Sequence, residues 1–137
     1  MERVVCSRDT KRSSAAVRED LQDVVRLTEA AGFDTVERDG DTVHVENRVG
    51  LARVEMTFRL RPSSDADLAY EQVEGLFEEM VTRYEVTGTE DGTRIDVETE
   101  FELGVTLLGD VLDATVIRRQ RRGELTDQLD WLASGSG

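Results

Sequence analysis

Residues 33–60 read FDTVERDGDTVHVENRVGLARVEMTFRL, and the spacing of their apolar side chains is that of strands. Thr35–Arg38 and Thr42–Arg48 flank Asp39-Gly40-Asp41, a strong hairpin-turn signal. Val43, Val45 and Asn47 share one face of the second of these strands. After a break at Val49-Gly50, Ala52, Val54, Met56, Phe58 and Leu60 alternate with Arg53, Glu55, Thr57, Arg59 and Arg61. One face is apolar and the other polar, the pattern of an antiparallel sheet with one wet side.

The same period continues downstream. Pro62-Ser63-Ser64-Asp65 turns the chain into a strand at Leu68–Glu74, and Gly75 permits a bend. Met80, Thr82, Tyr84 and Val86 alternate next. Glu90-Asp91-Gly92 then closes a hairpin onto Ile95, Val97, Thr99, Phe101 and Leu103. Upstream, Arg3–Arg8 reads as a short strand. Ser13-Ser14 is an N-cap pair ahead of Val17, Leu21, Val24, Val25 and Thr28, one face of a helix from 14 to 31 that divides readily into two. Gly32 is its expected stop.

The last segment, from Leu107 to Ala133, changes to helical spacing at Leu108, Leu112, Thr115, Val116, Arg119, Thr126 and Leu129. The twenty-six residues from 108 to 133 span about 39 Å as helix. Gly123 inside it is expected to weaken or bend it. The order is strand, helix, six strands, long helix. Strands that follow one another as hairpins make an α+β chain with an antiparallel sheet. Its single wide apolar face is covered most simply by the terminal helix.

The 137 residues suit one domain over 1–137, with a tail of flexible composition at 134–137. No apolar run nears the roughly 20 residues that span a bilayer. The N-terminal stretch has no signal-type apolar region, which reads as cytoplasmic. The charge is −13, from 30 acidic and 17 basic residues. Such a field repels phosphate and argues against a nucleic-acid partner. Of the basic residues only Lys11 is lysine. An acidic, lysine-poor surface fits a protein that works in high salt, where screening removes self-repulsion. Cys6 is the lone cysteine and His44 the lone histidine, too few for a disulfide or the usual zinc site. The glycines are scattered at turns, with no phosphate-cradling loop, and no cofactor is expected.

The order of elements, and Phe33–Leu60 above all, resembles the START/polyketide-cyclase-dehydrase (SRPBCC) superfamily with its helix-grip fold, in a haloarchaeal form. The resemblance covers about Arg3 to Leu132 and is one of pattern. It implies a curved antiparallel sheet of six to seven strands wrapped around the long C-terminal helix. It also implies a cavity between the two that takes lipids, polyketides or other apolar molecules.

On that frame the inward face holds Met56, Phe58, Tyr84, Val86, Val97, Thr99 and Phe101, as pocket lining or as filled core. Leu112 and Thr115 are the expected contributions of the helix. In Arg118-Arg119-Gln120-Arg121-Arg122 the arginines cannot share one face. They read first as surface arginines paired with the many carboxylates; alternatively one of them, Arg119 or Arg122, points inward, with Arg119 the best placed because it continues the Leu112, Thr115 stripe, and there it needs an acidic partner or ligand. Tyr70 and Tyr84 are the proton donors, and His44 or a cavity carboxylate the base, if the chain is a cyclase or dehydratase. The leading expectation is a non-enzymatic carrier or sensor of an apolar small molecule or lipid, without stable membrane insertion. The alternatives are that enzyme and a protein-interaction module.

Overall fold

The computed structural model describes residues 1–49, 52–62, 65–103 and 114–135. In chain order the elements are β1 (Glu2–Thr10), α1 (Ser14–Gln22), α2 (Val24–Ala30), β2 (Thr35–Asp39), β3 (Thr42–Val49) and β4 (Ala52–Leu60). They continue with β5 (Leu68–Glu74), β6 (Phe77–Gly88), β7 (Thr93–Leu103) and α3 (Ala114–Ser134). The strands form one antiparallel sheet in the order β1-β7-β6-β5-β4-β3-β2. This is the meander expected from the period-two pattern, with β1 added beside β7.

Local chemistry sets the boundaries. The Ser13 hydroxyl accepts the Ala16 N–H at 3.1 Å and starts α1. Asp23, at φ −82° and ψ 74°, ends α1 and caps α2, so the predicted helix is two. Gly32 has φ 100°, a conformation that costs glycine little, and there the chain leaves α2 for the sheet. Asp39 pairs with Thr42 across the predicted turn, with Gly40 at φ 61°. Register shifts lie between Thr57 and Phe58 and between Phe77 and Glu79, and such irregularities bend strands.

The apolar alternation points inward as phased from the sequence. Met56, Phe58, Tyr84, Val86, Val97, Thr99 and Phe101 are all buried. One cluster joins them to Val17 and Leu21 of α1, Leu27 of α2, and Ile117, Leu125, Leu129 and Leu132 of α3. Trp131 packs against this cluster, partly buried, near the C-terminal end of α3.

The phase of α3 differs from the sequence reading. Its buried face is Ile117, Arg121, Glu124, Leu125, Gln128, Leu129 and Leu132, while Thr115, Val116 and Arg119 are exposed. Arg119 therefore does not point inward; Arg121 does. The physical reason is the 3.6-residue period. Counting back from Leu132, Leu129 and Leu125 lands on Arg121 and Ile117, not on Arg119 and Thr115. Helix α3 runs without interruption through Gly123, so no break occurs there. Leu112 and the predicted start of the helix lie outside the described residues.

Candidate functional site

A half-enclosed cavity of about 40 Å³ lies where the sheet meets α3. Its apolar wall comes from Phe33, Val45, Met56, Leu76, Phe77 and Ile117, and its polar wall from Asn47, Gln120, Arg121 and Glu124. Of the residues expected at a ligand site, Met56 lines this cavity and the other sheet residues pack in the core.

The turn between β5 and β6 delivers Leu76 and Phe77 to this wall. Gln72 braces it from both sides: its Nε2 donates to the Phe77 carbonyl at 2.5 Å, and its Oε1 accepts the Phe77 N–H at 3.0 Å. Gly75, at φ 153°, completes the turn, and a Cβ there would lie 2.7 Å from Gln72 Oε1 and 2.9 Å from Met56 Cγ. Only glycine lets the backbone pass this close.

The polar wall is the unusual part. Arg121 and Glu124 are i, i+3 neighbours on α3, with side chains 6% and 7% exposed. Arg121 Nη1 donates to Glu124 Oε1 at 2.6 Å. Its Nη2 donates to Thr99 Oγ1 at 3.0 Å and Thr82 Oγ1 at 3.2 Å. The two threonine hydroxyls lie 2.9 Å apart, and Gln120 Nε2 donates to Glu124 Oε2 at 3.3 Å. Burial works against the charged guanidinium, yet Glu124 and the nearby tyrosines hold its pKa above the ordinary arginine value. Arg121 Nε is buried without a hydrogen-bond partner among the described residues.

A second polar chain runs deeper. The Tyr84 hydroxyl donates to Gln128 Oε1 at 2.5 Å, and Gln128 Nε2 donates to the Leu27 carbonyl at 2.9 Å. Tyr70 stacks on Phe58 with ring centroids 4.2 Å apart, and its hydroxyl lies 3.4 Å from that of Tyr84. Burial, reinforced by Tyr70, raises the Tyr84 pKa well above that of a free phenol, which makes it a poor proton donor.

The expected base His44 is elsewhere. It sits on the opposite face of the sheet, its Nδ1 2.9 Å from Thr57 Oγ1 and its Nε2 3.8 Å from Glu46 Oε1. The carboxylate at the cavity is Glu124, which the sequence reading missed together with Arg121 and Gln128. The signal was available: three polar residues recur at helical spacing among Ile117, Leu125, Leu129 and Leu132. A polar residue in an apolar stripe that is otherwise unbroken marks a buried polar site.

No protein-family model matches the chain, and no curated protein matches its sequence. Solved structures do match over almost all of it. A protein of Thermus thermophilus superposes with a TM-score of 0.77 at 15% identity, covering 99% of this chain and 100% of its own. The ZhuI aromatase/cyclase from a Streptomyces species gives 0.74 at 16%, covering 97% and 92%. A START superfamily protein from Mycobacterium smegmatis gives 0.68 at 10%, covering 93% and 91%. The fold of this chain is thus the START/polyketide-cyclase-like helix-grip fold, a seven-stranded antiparallel sheet with a C-terminal helix across it. Among the described residues, no helix is long and apolar enough to cross a membrane.

Proposed function

We propose that this chain binds an apolar small molecule where the sheet meets α3, as a carrier or sensor rather than a catalyst. One observation carries the reading: a buried Arg121–Glu124 pair forms one wall of a cavity whose other wall is apolar. A buried ion pair is commonly no more stabilising than apolar residues of the same volume, so its presence asks for a role other than stability. An apolar cleft with a few convergent polar groups is the general design of a small-molecule site. The cavity is smaller than the ~150 Å³ that admits benzene, so a ligand enters by moving side chains. Met56 is unbranched and adapts most readily. The acidic, lysine-poor composition supports placing the protein in the cytoplasm of a salt-adapted, haloarchaeal-type cell.

Methionine-methyl NMR tests the proposal. The chain has three methionines: Met56 at the cavity, Met80 in the core and Met1 exposed. Titration with medium-chain alcohols and small aromatics should move the Met56 signal and leave Met1 in place. A Met56 signal that stays fixed across the panel refutes the binding site.

A cyclase or dehydratase is the second reading, favoured by the convergence of Arg121 and Glu124 on one wall. It needs Glu124, already engaged by Arg121 and Gln120, to take a proton from substrate. Turnover of an enolisable polyketide-like ketone that disappears in Glu124→Gln would establish it. Binding without turnover leaves the carrier.

A further inference from the structure

The binding reading leaves open which end group the cavity accepts, and the polar wall constrains it. An inward arginine ordinarily suggests an anionic ligand, because a guanidinium matches a carboxylate in charge and shape. Here that position is taken. Glu124 Oε1 sits 2.6 Å from Arg121 Nη1, so the positive charge is already neutralised inside the protein. Nη2 is also committed, to Thr82 and Thr99. The one guanidinium nitrogen without a partner among the described residues, Nε, is buried, and the cavity wall offers the Glu124 carboxylate, which is able to accept another hydrogen bond.

We propose, resting on the binding reading above, that the cavity selects an uncharged apolar molecule bearing a hydroxyl group over a fatty-acid-like anion of the same size. The hydroxyl donates its proton to Glu124, the carboxylate on the cavity wall. A keto oxygen has no proton to donate and cannot make this contact. A carboxylate has no proton to donate to Glu124 and brings a second negative charge next to it, where little water screens it. That repulsion weakens an anion by on the order of tenfold or more.

The experiment compares octan-1-ol with octanoate at neutral pH, read by the Met56 methyl signal. About 1 M salt reduces the general repulsion of anions by the −13 charge, since the Debye length falls to ~3 Å. Octan-1-ol should bind the unmodified chain roughly tenfold or more tightly than octanoate. Glu124→Gln should reverse the preference, because the freed guanidinium then takes the anion. Glu90→Gln, which removes the same charge from the exposed β6–β7 hairpin, should leave the preference unchanged. Octanoate binding the unmodified chain as well as octan-1-ol overturns the selectivity and leaves the binding site standing. So does a Glu124→Gln chain that folds and still prefers the alcohol. Failure of both probes to move Met56 removes the site, and the selectivity with it.

Discussion

Cutting the Arg121–Glu124 pair on one side tests whether it is buried as described. Glu124→Leu leaves the guanidinium with only the hydroxyls of Thr82 and Thr99. Removing one partner of a buried pair costs about 3–5 kcal/mol, because the other charge stays in a poorly solvating site. For a chain of 137 residues each kcal/mol moves Tm by about 3–4 °C, so the expected fall is roughly 9–20 °C. Adding Arg121→Met removes the orphaned charge. Thr82 and Thr99 then still bond each other at 2.9 Å, and exposed Gln120 turns to water. The double variant should therefore lie within about 1 kcal/mol of the parent, or above it. Urea unfolding read by Trp131 fluorescence and by far-UV circular dichroism measures both, and coincident curves establish two-state behaviour. A single variant that loses under about 1 kcal/mol would refute the buried pair, and so would a double variant as unstable as the single.

Tyr84→Phe leaves Gln128 Oε1 without its donor and should cost about 1–3 kcal/mol in urea. The raised Tyr84 pKa also fixes a pH dependence: the folded chain keeps a phenolic proton that the unfolded chain loses near pH ~10. Stability should be full below that point and fall above it, and Tyr84→Phe should flatten the slope. Gly92→Ala drives a Cβ into the Thr10 carbonyl oxygen and to 2.8 Å from Lys11 Cα, both backbone, so the urea midpoint should drop by the equivalent of at least ~1–3 kcal/mol. With a net charge of −13, Tm should climb as KCl rises from about 0.1 to 1 M, and a flat or falling profile would argue against adaptation to salt.

The sheet was legible because its physics is local. A period of two with one wet face assigned Met56, Phe58, Tyr84, Val97 and Phe101 to the inside with no knowledge of their partners. The pairing of β1 with β7 follows once the strands must close over one core. The site was less legible because α3 breaks the rule that made the strands readable. Its buried face carries Arg121, Glu124 and Gln128, so a search for apolar stripes slid to Thr115, Val116 and Arg119, which face solvent. What justifies Arg121 inside is a set of partners, most of them from other elements: Thr82 on β6, Thr99 on β7 and, one turn along α3, Glu124. Two of those three are invisible to any window along the helix. The expectation that an inward arginine needs an acidic partner was sound, and it was satisfied by a residue three positions away from a different arginine.

The pairing of β1 also bears on how the chain comes to be folded at all. Arg3 bonds Glu98 across 95 residues of sequence, Thr10 reaches the carbonyl of Ala133, and Arg8 pairs with Asp130. During synthesis β1 emerges first and waits, its apolar side uncovered, until β7 and α3 have left the ribosome. Contacts of such sequence separation are formed late and slowly. The earliest stable intermediate is then expected to be the hairpins from β2 to β6, with β1 sealing the structure last, and a ribosome stalled before α3 would hold an unsealed sheet edge open to misassembly.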